Sequence, residues 1–279
     1  MILIKAKLRP IIHFINFINR FFYVLFLYVV KFLKLTRDDK KYLRYWLFND
    51  ITKRYLNTYT LNKKMDEIIP HNNINIKLTI DEISFHYINL SHRKDRNNSI
   101  IKEFESNYIK RYKRFNAIKD TDGLKGCVLS HLQVLKKIRD ANICERVIVC
   151  EDDILLIEPK DYLMDVVNNF SSDDNLDVLC LGYNVKSKIH YNDFFYLTND
   201  TQTTSAYMLK ISAIDSIIKS FQISKHLLDL GFPRYVAALD ITWKEKQKKL
   251  NFVLPKKRIV KQLENSFSDI ENKFVKYDA

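Results

Sequence analysis

Between residues 83 and 254, short apolar runs alternate with stretches of helical periodicity, and this alternation narrows the possible folds more than any other feature of the chain. Strands are predicted at residues 85–90, 112–118, 146–150, 177–181, 194–197, 203–209 and 251–254. Helices are predicted between them at 95–109, 127–141, 159–170, 212–221 and 237–249. Asp95 lies in the first turn of one helix, Pro159 opens another, and Ser212 caps a third. Alternating β and α elements predict an α/β domain, with a mostly parallel sheet and helices on both faces. At 279 residues there is room for one such domain and an appendage.

The run Val147-Ile148-Val149-Cys150 is β-branched or small throughout, which suits a strand buried on both faces. Three consecutive acids follow it, Glu151-Asp152-Asp153. Side by side they repel and raise one another's pKa. A divalent cation among them reverses that balance, because hard cations take oxygen ligands. The carboxyl end of a strand is also where open α/β sheets bind their ligands. The competing reading is a solvated acid cluster at a strand-to-loop boundary.

Composition removes several function classes. Only four glycines occur, Gly123, Gly126, Gly182 and Gly231, where roughly 20 would be usual for this length. Neither G-x-G-x-x-G nor G-x-x-x-x-G-K-[ST] is present, which argues against a P-loop NTPase or a typical dinucleotide-binding domain. The net charge of +13 is concentrated in residues 1–64, where fourteen Lys/Arg against three Asp give +11, leaving +2 for the rest. That distribution fits an anionic membrane surface, not nucleic acid. The four cysteines, Cys127, Cys144, Cys150 and Cys180, lack zinc-like spacing and read as reduced core residues.

Residues 1–80 read as a basic, partly apolar arm, and residues 81–279 as the folded body. Residues 11–33 are apolar but interrupted by Asn16, Asn19 and Arg20. Three geometries compete: a signal anchor, a helix lying in the membrane plane, and an ordinary buried helix. The expectation is membrane association through residues 1–40, in the secretory pathway or at the cytoplasmic membrane face. Residues 35–80 read as a weakly helical stem.

Four blocks stand in order along the body: 87–96 (YINLSHRKDR), 123–131 (GLKGCVLSH), Glu151-Asp152-Asp153, and a late set comprising Asp240, Pro255, Gln262 and Ser268-Asp269-Ile270. Together they resemble glycosyltransferase family 25, over about residues 84–271. One departure is Ala117-Ile118-Lys119-Asp120, where members often carry Ala-x-Asp-Gly. The resemblance implies a GT-A fold with a Rossmann-like sheet, here with a helical N-terminal arm. It also implies a UDP-sugar donor, a Mn²⁺ (or Mg²⁺) cofactor, and transfer of galactose or glucose. A glycan, a lipid-linked glycan or a collagen-like hydroxylated chain would be the acceptor. A catalytically silent sugar-nucleotide-binding or scaffold protein is the alternative.

By analogy with the family's acidic motif, Asp153 is the first choice as metal ligand, with Asp152 and Glu151 touching metal, ribose or donor sugar. Arg93 and Arg96 follow the first strand, and guanidinium groups suit phosphate, although a solvated surface role fits either equally well. Asn89 reads as a partner for base or ribose, or as a satisfied turn residue. Ser130 and His131 are adjacent on a predicted helix, so their side chains diverge by about 100° and form no nucleophile–base pair. They read as donor-site or helix-packing residues. Asp240, beside apolar neighbours, is the candidate general base, with a helix cap as the competing reading. Trp243 is a candidate sugar platform or a core residue. Ser268 and Asp269 either close over the donor pyrophosphate or cap a final helix.

Overall fold

Strand β3 (Val147–Glu151) lies inside an eight-stranded sheet and is buried along Val147 to Cys150, as its composition demands. The computed structural model describes residues 2–68, 76–263, 266–268 and 273–275, and the side chains of 16–47, 60–68, 76–144 and 146–263. On one side of β3 runs β1 (Ser84–Asn89), followed by β2 (Tyr112–Asn116), both parallel to it. On the other side the order continues through β8 (Ala206–Leu209), β5 (Val178–Cys180), β9 (Phe252–Pro255), β7 (Phe195–Gln202) and β6 (Asn184–His190). Following the pairings across the sheet, β8 and β7 run against the other six. The sheet is mixed, with six of its eight strands sharing one direction, which keeps the mostly parallel orientation that the β/α alternation predicts.

Helices cover both faces. On one, α3 (Lys94–Ser106) and α5 (Lys160–Ser172) bury Ile100, Phe104, Val166 and Phe170 against Phe85, Ile148 and Leu179. On the other, α4 (Gly123–Asp140) and α6 (Ile211–Asp229) bury Val128, Leu135, Ile217 and Phe221 against Val149, Tyr207 and Phe252. The arrangement is the Rossmann-like α/β class consistent with a GT-A fold. Two short strands lie outside the main sheet: β4 (Ile154–Leu156), just past the acids, pairs antiparallel with β10 (Val260–Gln262). A separate pair is formed by β11 (Ser266–Ser268) and β12 (Lys273–Val275).

The arm is helical. It consists of α1 (Ile2–Val30) and α2 (Arg37–Asp66), and Thr36 caps α2 through a reciprocal exchange with Asp39. It packs onto the body. Val24, Leu27, Leu43 and Trp46 share a buried cluster with Ile223, Leu227, Phe232 and Val236, and Leu61 enters the core beside Ile83. Among the described residues no helix is long and apolar enough to cross a membrane. The predicted helix at 237–249 is instead broken into α7 (Arg234–Ala237), α8 (Leu239–Thr242) and a 3₁₀ stretch, Trp243–Lys248. Trp243 is fully buried among Tyr207, Phe221 and Phe252, and its indole N–H donates to the Thr201 carbonyl at 3.2 Å. It is a core residue and offers no face to a sugar.

Candidate active site

Asn89 ends β1 and Glu151 ends β3, and Ile88 is in register with Glu151. Because the two strands are parallel, their carboxyl ends open on the same edge of the sheet. There a crevice of about 320 Å³ is lined by Arg96, His131, Glu151, Asp152, Asp153 and Gln262. Its walls are completed by the loop at residues 117–120 and by the first turns of α4.

Asp152 and Asp153 are both buried. The Arg96 guanidinium lies between them, with Nη1 at 3.0 Å from Asp152 Oδ1 and 3.2 Å from Asp153 Oδ2. Asn89 Nδ2 donates to Asp152 Oδ2 at 2.6 Å and to the Arg93 carbonyl at 3.1 Å. Gln262 Nε2 donates to Asp153 Oδ1 at 3.4 Å and to Glu151 Oε2 at 3.3 Å. The Leu263 N–H donates to the Asp153 carbonyl at 2.7 Å, so β10 and its exit tie the acidic turn from above. Desolvation pushes both aspartates up: Asp153 reaches about 7, with Glu151 adding to the shift and Arg96 opposing it. Asp152 is likewise raised, chiefly by desolvation, with Arg96 and Asn89 opposing the shift by stabilising its charge.

Glu151 faces the other way. Its Oε1 lies 3.6 Å from His131 Nε2. The opposite ring nitrogen, Nδ1, is hydrogen-bonded to the Tyr207 hydroxyl at 3.0 Å, which fixes the imidazole plane. His131 is completely buried, and its Nε2 has no hydrogen-bond partner. Among the described residues, Cys127, His131 and Glu151 bring one potential ligand atom each within 4.8 Å of one another. The acids therefore divide into a pair around Arg96 and a single carboxylate turned toward His131.

The remaining residues singled out from the sequence are distributed unevenly. Arg93 turns onto its neighbour Asp95 (Nη2 to Oδ2, 2.8 Å) at the start of α3 and does not line the crevice. Ser130 borders the crevice, but its hydroxyl is used within the protein: Oγ donates to the Gly126 carbonyl at 2.7 Å and accepts from the Ile118 N–H at 2.8 Å. Asp240 stands outside the lining, close enough to Glu151 and Cys127 for its charge to be felt at both. Its carboxyl is raised, chiefly by desolvation. Oδ2 accepts a hydrogen bond of 3.4 Å from the N–H of Thr203, a non-glycine residue held at φ 83°. Backbone strain of this kind clusters at functional sites. Ser268 ends β11, in register with Lys273. Asp269 lies outside the described residues.

Four contributors were not assigned to the site from the sequence: Gln262, Tyr207, Thr203 and Cys127. Gln262 stood in the fourth block, so its place was visible although its role was not. The partners of Tyr207 and Thr203 are 76 and 37 residues away, and no local pattern announces them. The departure at residues 117–120 also has a physical counterpart. A Cβ at Gly126 would come within 2.6 Å of the Ile118 carbonyl and 3.2 Å of the Asp120 N–H, both backbone atoms. Gly126→Ala is expected to push that loop outward at a cost of about 1–3 kcal/mol. Thermal denaturation checks this, and an unchanged melting temperature would show that the loop is not seated on α4.

The fold and crevice define an α/β protein with an acidic crevice at the carboxyl edge of its sheet. Residues 120–230, less than half of the chain, match the model of glycosyltransferase family 25 (LPS biosynthesis protein), which supports the resemblance read from the sequence and a glycosyltransferase activity. The match takes in Gly126 to His131 and the three acids, and stops short of β1 and Asp240. No curated protein matches the chain. Among solved structures, the crystal structure of A197 from STIV is similar, with 10% identity, 71% of this chain and 100% of that chain covered, and a TM-score of 0.37. So low a score carries no argument.

Proposed function

We propose that the crevice transfers a hexose, galactose or glucose, from a UDP-sugar to a hydroxyl group of a glycan or of a hydroxylated protein, with inversion. The observation that carries this reading is the buried Asp152–Asp153 pair at the end of β3, which lies in the region matched by the family-25 model and is bridged by the guanidinium of Arg96. The donor set suits a hard divalent cation such as Mn²⁺ or Mg²⁺. Asp153 and Asp152 would hold it, with Glu151 at its edge. The buried Asn89 Oδ1, which has no hydrogen-bond partner, leaves one more oxygen beside Asp152. When bound, such a cation offsets the negative charge that develops on a departing diphosphate.

The chain's own groups supply the rest. Arg96 is placed to exchange part of its carboxylate contact for a phosphate oxygen. His131, held by Tyr207, stands beside Glu151 in the crevice wall and can stabilise its charge when protonated. Asp240 takes the proton of the acceptor hydroxyl, and its raised affinity for a proton suits that role. As the acceptor oxygen bonds to the anomeric carbon, the bond from that carbon to the diphosphate oxygen breaks, and its electron pair leaves with UDP.

The test is a donor screen of the full chain against UDP-glucose, UDP-galactose and UDP-N-acetyl sugars, with and without Mn²⁺, reading UDP release and donor binding separately. Neither binding nor release with any donor would sink the reading. Binding without release would favour the silent sugar-nucleotide-binding protein.

A further inference from the structure

The C-terminal half of α1 has two apolar faces, and the protein uses only one. Val24 and Leu27 are buried against Leu43, Ile223, Leu227 and Phe232. On the outside, Phe22, Phe26 and Val29 are 60%, 60% and 65% exposed, and Leu33, just past the helix end, is 96% exposed. Spacings of four, three and four residues place these side chains along one stripe. Val30 (57% exposed) widens it. A continuous exposed stripe of large apolar side chains marks an interaction surface.

The surroundings of the stripe indicate what covers it. Beyond its end, Lys34, Arg37, Lys41 and Arg44 are exposed on the 3₁₀ turn Phe32–Lys34 and α2. The Lys40 ammonium sits over the Phe32 ring at 3.9 Å. The acids of this segment, Asp38 and Asp39, are turned to the body: Asp38 pairs with Lys219 at 3.2 Å, and Asp39 is buried against His226 at 2.5 Å. An apolar face rimmed by unopposed positive charge complements an anionic lipid surface. Crossing the bilayer is ruled out for this segment on two grounds. No described helix is long and apolar enough, and the Val24–Leu27 face is already filled by α2 and α6.

We propose that residues 22–33 form an interfacial anchor, with α1 lying in the plane of an anionic bilayer and its Phe22–Phe26–Val29–Leu33 stripe set among the lipids. The anchor is independent of the glycosyltransferase reading. The same helix touches the segment that leads to Asp240, since the Arg20 guanidinium lies over the Tyr235 ring at 5.1 Å. Anchoring therefore ties the end of the molecule that holds Asp240 to the membrane.

The test is flotation of the full chain with vesicles of phosphatidylglycerol and phosphatidylcholine, and with phosphatidylcholine alone. The wild type is expected to float with the anionic vesicles, less so in high salt, and to be released by alkaline carbonate as a non-spanning protein is. The variant Phe22→Ser/Phe26→Ser/Leu33→Ser should lose about ten-fold or more in affinity with an unchanged circular dichroism spectrum, because these side chains face away from the core. Lys34→Gln/Arg37→Gln/Lys41→Gln should erase the preference for anionic lipid. The proposal is overturned if the wild type floats with neither vesicle, if the serine variant floats like the wild type, or if carbonate fails to release it. A wild-type dimer that the serine changes dissociate, without vesicle binding, would likewise overturn it and assign the stripe to a second copy.

Discussion

Asp153→Asn is expected to lower hexose transfer on the order of 10³-fold while making the unliganded protein more resistant to heat at neutral pH. The two effects share one cause. The carboxyl of Asp153 is removed from water and faces a second carboxylate, so only one guanidinium and the Gln262 amide oppose its charge. A charge held this way suits a cation and is costly without one. The pH dependence follows. Below the ordinary value of 3.8 the carboxyl is neutral folded or unfolded, and it contributes nothing. Between that value and about 7 the unfolded chain loses the proton while the folded one keeps it, so stability falls as pH rises through this window. The asparagine variant lacks this decline, and its advantage in melting temperature should grow from pH 4 to pH 7. Titrating the melting temperature of both proteins checks the stability half, and UDP release the catalytic half. Near-normal transfer by the variant would remove Asp153 from the cation site.

Asp240→Asn is expected to reduce turnover by about 10²–10⁴-fold with donor affinity nearly unchanged. The substitution keeps the shape and an oxygen able to accept from the Thr203 N–H, so the strained residue at φ 83° retains its anchor. What is lost is the capacity to take a proton. The wild-type profile should show an acidic limb displaced above the usual range for an aspartate, because burial raises this carboxyl. Turnover and donor dissociation constant, measured side by side, separate the outcomes. A variant that fails to fold would assign Asp240 to holding Thr203, and a loss confined to donor affinity would place it in the donor site.

The fold was legible wherever burial decides conformation. The runs at 85–90, 146–150 and 177–181 are apolar because they lie in the sheet between two layers of helix, and each overlaps an observed strand to within a residue or two at its ends. Strand β6, with the sequence NVKSKIH, escaped notice because it is an edge strand of alternating exposure and carries lysine, serine and asparagine. The helix predicted at 237–249 broke because the buried Trp243 and the carboxyl of Asp240 serve tertiary partners, and packing overrides propensity there.

The site was legible in part for a related reason. Asn89 and the acids announce themselves as polar groups at the ends of buried strands. Arg96 was visible as a cation after the first strand, whereas its seat between two aspartates depends on how α3 packs. Arg93, equally promising by position, turned to its own neighbour. Ser130 lay in the right block, but its hydroxyl holds a loop. Residue type and position located the chemistry, and only long-range packing could say which oxygen meets which nitrogen.

The guanidinium between Asp152 and Asp153 has a consequence for how the protein is made. Many sites built from buried carboxylates fold only as fast and as fully as their ion arrives, because like charges must be forced together first. Here a residue seven positions beyond the end of β1 provides positive charge from within the chain. On the proposed cation reading, folding depends less on the supply of divalent ions than it would without Arg96, because the guanidinium offsets part of the charge that the ion would otherwise offset. Chelation should silence such a protein without unfolding it, leaving a stock that revives when the ion returns.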